Sequence, residues 1–292
     1  MFKTLRLMIT TTALLTPTVT VDHPTTSGAS PGITADLASP SGSTVALDRE
    51  LSGPHVLDTR VGEVIVRVQG SAVCSGTPLT GTKFVVTAAH CVLDENGAID
   101  GHTKVLRDGA EYTPVSVLVN PEHHSSPSPL LDPAVLVMDQ IITGPSATLA
   151  DRFPTQGLVT VAGLQPLDTD GSLLRGTRPD NRPFPGGAEH GIFKIATAAA
   201  GCVHLASDAD VTDDHVRVPC GLIPIASGGG LFVEHNGELI LAGIISTVSP
   251  DLTYNGLVPL TVLHQMLDNP IPYTHDLTAE ADKASLTRVI RS

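Results

Sequence analysis

Short apolar runs separated by Gly- and Pro-rich breaks organise this chain from about Val61 onward. Val64–Val68, Lys83–Thr87, Val115–Val119 and Val135–Met138 each read as a β-strand, the last as a short buried one. A polar stretch rich in Pro and Gly, Thr143–Gly157, then interrupts the pattern as a crossover. The strand signal resumes at Leu158–Val161, Gly191–Ala196, Leu231–Glu234 and Leu239–Ser246. One helix is predicted, Leu260–Leu267, whose Leu260, Leu263, Met266 and Leu267 share a face. Two all-β halves of about 100 residues each suit a pair of small barrels. No internal repeat is visible.

Composition sharpens this picture. The 292 residues suffice for one large domain or two small ones. Aromatics make up 3% with no Trp, so the core is built from Val, Leu, Ile and Ala. The 27 Gly and 23 Pro suit many turns between short strands. A net charge of -13 argues against a nucleic-acid partner, because phosphate binding needs clustered Lys and Arg. No run reaches the roughly 20 apolar residues of a membrane-spanning helix.

The N-terminus reads as an export signal over residues 1–22. Lys3 and Arg6 precede the mostly apolar Leu7–Leu15, which is followed by small residues. Residues 23–58 are dominated by small and polar residues and read as a low-complexity or pro-segment, unable to offset ordering entropy by burial. Cys74, Cys91, Cys202 and Cys220 form two local pairs with no C-x-x-C. That pattern suits two disulfides in an oxidising compartment, secreted or in the cell envelope. Four cysteines allow three pairings, and proximity favours Cys74–Cys91 with Cys202–Cys220.

Three motifs follow one another. Thr87-Ala88-Ala89-His90-Cys91 closes an apolar strand, with Cys74-x-Gly76 seventeen positions before Cys91. Asp132-Pro133 opens the short run Ala134–Met138, and Ala226-Ser227-Gly228-Gly229-Gly230 precedes another strand. Taken singly, Asp-Pro is a common turn and Ser-Gly-Gly an ordinary loop. In this order they resemble the chymotrypsin/trypsin-like serine protease family, in a divergent bacterial-type secreted form, over about Val61–Leu267. The resemblance implies an all-β fold of two six-stranded antiparallel β-barrels with a short C-terminal helix. It places the protease domain at 59–268, with barrel one at about 59–142 and barrel two at about 157–258, and leaves 269–292 as a tail. It implies a catalytic triad of His90, Asp132 and Ser227, an oxyanion hole from the amides of Ile225 and Ser227, and a disulfide linking Cys91 to Cys74. Ser246, Thr247, Val248 and Gly256 would bind substrate. The expected activity is hydrolysis of a polypeptide substrate through an acyl-enzyme by a monomer, with no cofactor.

Departures from the family's pattern matter too. Ile225-Ala226 stands where Gly-Asp is usual before the serine, and Gly230 where Pro is usual. With no acidic residue there and no matching cleavage sequence, the familiar activation by a buried new N-terminus is not expected; Arg60-Val61-Gly62-Glu63 is only a faint echo of it. Ile225 keeps its N–H, but a β-branched residue is strained if the loop needs φ > 0. Val248 stands where Gly is common and Gly221 offers no charge, so a small uncharged residue is expected before the scissile bond. The alternative is a catalytically inactive protease-like binding domain. The twelve histidines include His123-His124, expected on an exposed loop, and the pair His204 and His215. None has metal-ligand spacing, so no metal is expected.

Overall fold

The computed structural model describes residues 53–94, 96–123, 128–173, 196–212, 216–250, 253–258 and 260–277. They form two curled antiparallel sheets, one from each half of the chain. In the first, the order is Thr274–Asp276, Pro114–Val119, Pro133–Met138, Phe84–Ala88, Val73–Pro78, Val66–Gln69, Lys104–Arg107, Ala110–Tyr112. In the second it is His55–Val56, Thr197–Leu205, Leu158–Pro166, Gly230–His235, Glu238–Val248, Asn255–Val258, Val216–Val218, Asp210–Val211. Thr148–Leu149 adds a parallel pairing to Glu238–Val248. The sheets therefore hold eight and nine strands, because short edge ribbons extend the six-stranded plan of each half.

Each sheet also takes an edge strand from the opposite end of the chain. His55–Val56 pairs with Ala200–Gly201 in the second sheet, and Thr274–Asp276 pairs with Ser116–Leu118 in the first. These exchanges tie the halves together and cover two edges.

The apolar residues sort into three clusters. One fills the first sheet with Val68, Val105, Val117 and Leu136, and another fills the second with Val161, Val218, Leu222 and Leu257. The third lies between them and joins Val86, Leu118 and Val135 to Phe232, Leu241 and Ile244. The amphipathic helix Thr261–Asp268 presses Leu263 and Met266 into this middle cluster. This middle cluster is the seam between the two sheets.

Both disulfides join the cysteines that are near in sequence, Cys74–Cys91 and Cys202–Cys220, with Cα–Cα distances of 6.0 and 5.6 Å. The crossover is held by Arg107, whose guanidinium donates to Pro145 O at 2.7 Å and Glu63 O at 2.6 Å.

Most expected strands are present, several of them longer than the apolar run alone shows. Leu158–Val161 extends to Pro166. Val64–Val68 starts later, at Val66, because Arg60–Val64 forms a helical turn that buries Val61 and Val64. The expected strand at Gly191–Ala196 falls almost wholly outside the described residues; a strand follows at Thr197–Leu205 instead. No helix among the described residues is long and apolar enough to cross a membrane.

His204, on this strand, has its pKa lowered from the ordinary histidine value of 6.5, chiefly by burial and against the pull of Asp208. The folded chain thus disfavours the protonated ring. Its contribution to stability is complete above that ordinary value and is lost as pH falls below it, because the unfolded chain then binds the proton more readily. Thermal melts from pH 7.5 to pH 5 should show a falling Tm, and His204→Gln should flatten that fall. An unchanged slope would exclude His204 as the cause.

Candidate active site

Strand Phe84–Ala88 delivers His90 to the seam. The chain leaves the strand through a 3-10 turn, Ala89–Cys91, in which Val92 N–H donates to Ala89 O at 3.0 Å. Cys91 is anchored next door by its disulfide, so His90 has a fixed backbone and an exposed ring. Strand Pro133–Met138 runs antiparallel beside it, pairing Ala88 with Pro133. That register sets Asp132 against His90.

Asp132 is 3% exposed and accepts from several sides. His90 Nδ1 lies 3.0 and 2.9 Å from its two oxygens, and the His90 amide donates to Oδ1 at 3.1 Å. The Asp132 carbonyl also accepts the Ala89 N–H. An ionised carboxylate can only accept, so Nδ1 carries the proton and Nε2 is left as the basic nitrogen. Ser246 Oγ donates to Oδ2 at 2.5 Å. The ladder between Glu238–Val248 and Asn255–Val258 shifts register between Ile245 and Thr247, so Ser246 drops out of it. Such a bulge re-aims a side chain. Here it aims the Ser246 hydroxyl at Asp132, a role beyond the substrate contact expected of it.

Ser227 is 6% exposed and caps the 3-10 turn Pro224–Ala226. Its loop is stitched to both neighbouring elements. Ser75 N–H, in the strand Val73–Pro78 whose Cys74 is bridged to Cys91, donates to Ser227 O at 2.8 Å. Gly228 N–H donates to Ile245 O at 2.8 Å and Ile245 N–H to Gly229 O at 2.9 Å, on the side of Ser246. The loop is thus bonded to a strand bridged to Cys91, next to His90, and to the strand whose Ser246 donates to Asp132. No hydrogen bond joins Ser227 Oγ to the His90 ring among the described residues. Such bonds are often long before substrate binds.

Glycine is required at the turn. Gly228 has φ +80°, and a Cβ there would lie 2.2 Å from both Ser75 O and Thr87 Oγ1. Gly228→Ala should therefore destabilise the chain by about 3 kcal/mol or more, measured by denaturant unfolding. A loss below about 1 kcal/mol would mean the loop is free to move aside. Ala226 is fully buried beside Gly163, where a Cβ would lie 2.7 Å from the Ala226 Cβ. That packing explains why a carboxylate is absent at this position: the pocket is apolar and filled.

Other residues bear on the site without having been foreseen. Asn255 is wholly buried and braces the stem of the Ser227 loop, accepting Leu222 N–H at 2.8 Å and donating to Leu222 O at 3.0 Å. His123, expected on an exposed loop, is 9% exposed, with Nε2 3.8 Å from Asp132 Oδ1. His123 itself turns inward toward the carboxylate, and no periodic signal marks such a turn. His124 and His215 lie outside the described residues. Thr247 is exposed and pairs with Gly256; its Oγ1 occupies the space a Gly256 Cβ would take. Val248 pairs with Asn255 and is half-buried. The sulfurs of Cys74 and Cys91 lie near His90 but are committed to their disulfide.

Residues 57–179 match the family model described as Trypsin. That stretch of the chain resembles the trypsin family. The match spans His90 and Asp132 and stops short of Ser227. The protease Anisep from Arthrobacter nicotinovorans aligns at 15% identity with a TM-score of 0.53, covering 73% of this chain and 96% of that one. A thermostable serine protease, AL20, from an extremophilic microorganism aligns at 15% and 0.50, covering 71% and 96%. A Glu endopeptidase aligns at 14% and 0.54, covering 75% and 96%. No curated protein matches the chain in sequence. The fold is thus that of trypsin-like serine proteases.

Proposed function

We propose that the chain is an exported serine endopeptidase in which Ser227, His90 and Asp132 form the catalytic triad. The observation that carries the reading is the twice-held Asp132. Its two oxygens face His90 Nδ1 while Ser246 donates to one of them, which leaves Nε2 as the free nitrogen able to act as a base. Ser227 Oγ would bond to the carbonyl carbon of the substrate as His90 Nε2 takes its proton. The same proton then passes to the amine as the C–N bond breaks. Water, deprotonated by His90, releases the acid and restores Ser227. Asp132 stabilises the imidazolium at each stage. Polypeptides are the substrate, and two disulfides suit an oxidising, extracytoplasmic setting.

We expect a small uncharged residue, Ala or Val, before the scissile bond. Support comes from Val248, which is half-buried, from Thr247 lying over Gly256, and from the absence of an acidic side chain at Gly221. A fluorophosphonate probe followed by intact mass should label the purified chain once, at Ser227, and peptide profiling should favour Ala or Val. Faster cleavage after Arg, Lys or Glu would exclude the preference. A folded chain that never labels would favour a protease-like binding domain, a reading supported by the engaged Ser227 amide described next.

A further inference from the structure

Stabilising a tetrahedral oxyanion requires N–H groups that converge on one point outside the backbone, about 2.7–3.1 Å from the oxygen. If Ser227 is the nucleophile, the reading on which this inference rests, its own N–H is one of the two donors. In the structure that N–H is already used: it donates to Pro224 O at 2.9 Å. The preceding amide does the same, Ala226 N–H donating to Ile223 O at 2.9 Å. Together they close the 3-10 turn Pro224–Ala226. The Pro224 carbonyl thus takes up the N–H that an oxyanion would need.

The planes around it are pinned. Ser75 is wholly buried, and its hydroxyl donates to Ile225 O at 3.0 Å while accepting Leu164 N–H at 2.8 Å. The Ala226 carbonyl accepts Gly229 N–H at 2.9 Å. The Ile225–Ala226 and Ala226–Ser227 peptides are therefore each held at both ends. Release of the Ser227 N–H falls to the Pro224–Ile225 peptide, whose carbonyl must swing away, and Pro224 is exposed and has room to turn. Rotating one peptide plane by about half a turn moves ψ of the residue before it and φ of the residue after it. Ile225 would leave the negative φ of a 3-10 turn for positive φ, where a β-branched side chain is strained. Ile225 also packs its side chain on the seam cluster.

We propose that the Pro224–Ile225 peptide is a latch: the oxyanion site rests closed on the Pro224 carbonyl, and the side chain of Ile225 keeps it closed. Opening it costs the Ser227–Pro224 hydrogen bond together with the left-handed backbone at Ile225. Substrate supplies the compensating contact, because its carbonyl oxygen accepts the freed N–H. The resting chain is then a slow enzyme whose reactivity is set by this one peptide plane.

The test compares fluorophosphonate labelling rates of the full-length parent, Ile225→Gly, Ile225→Ala and the Ser227→Ala control, with folding checked by circular dichroism and thermal melts. Glycine tolerates positive φ, so Ile225→Gly should label about 5- to 30-fold faster than the parent. Alanine loses the same packing but keeps a Cβ, so Ile225→Ala should stay within about threefold of the parent. That split separates a backbone latch from a side chain that merely blocks the site. Equal acceleration in Gly and Ala would overturn the latch, as would a parent that labels as fast as Ile225→Gly. In both cases Ser227 remains the nucleophile. Failure of the folded parent and the folded Gly variant to label at Ser227 would overturn the latch and the nucleophile assignment together.

Discussion

Ser227→Ala should lower kcat/KM on a peptide substrate by about a million-fold, the scale seen when an activated serine is lost from such a triad. Stability should barely change. The loop depends on the Ser227 backbone, whose carbonyl accepts Ser75 N–H and whose N–H donates to Pro224 O, and not on its hydroxyl. Removing Oγ leaves those bonds in place, so thermal unfolding should shift by less than about 0.5 kcal/mol. The contrast with Ser75 is instructive. Its hydroxyl is wholly buried and bonds two backbone groups, Ile225 O and Leu164 N, so Ser75→Ala would act through folding. Progress curves on Ala- and Val-containing peptides, normalised to folded protein, are the measurement. Retention of even one hundredth of parental turnover by Ser227→Ala would remove the serine from the chemistry.

Much of this framework was legible along the chain because it is local. Apolar runs that end in Gly or Pro place the strands around His90 and Asp132, and the closeness of Cys74 to Cys91 predicts the disulfide that steadies the turn between them. What was not legible depends on register and on contacts distant in sequence. Whether Ser246 faces substrate or Asp132 is decided by a one-residue bulge, and alternation along a strand does not announce one. Val73–Pro78 is buried at every position, so its polar Ser75 and Thr77 hide a strand from any period-two reading. Thr197–Leu205 carries three alanines straight after Thr197 and little β signal of its own; pairing with Leu158–Pro166 makes it a strand. Ile225 could be flagged from sequence as a strained oxyanion residue, but only the turn it sits in shows which carbonyl occupies the Ser227 amide.

Asp132→Asn should reduce kcat by about ten-thousand-fold with little loss of fold, and the hydrogen bonds around it explain why. Three donors converge on two oxygens: the His90 amide and ring at Oδ1, and Ser246 with the ring again at Oδ2. An asparagine offers one acceptor and one NH2 group. The His90 amide cannot turn, so the side-chain oxygen is held at Oδ1. The NH2 then takes the place of Oδ2, and the Ser246 hydroxyl rotates from donor to acceptor. Every backbone partner stays satisfied, so the site keeps its shape. The imidazole does not fare as well. It meets an N–H on one side and loses the negative charge that stabilises its protonated form, while the tautomer with a free Nε2 is no longer enforced. Ser246→Ala is the counter-experiment. It removes one hydrogen bond but leaves the charge and both ring contacts, so its effect should stay within about tenfold. If Ser246→Ala were as damaging as Asp132→Asn, orientation of the carboxylate would outweigh its charge. If Asp132→Asn cost less than about tenfold, His90 would be acting without Asp132.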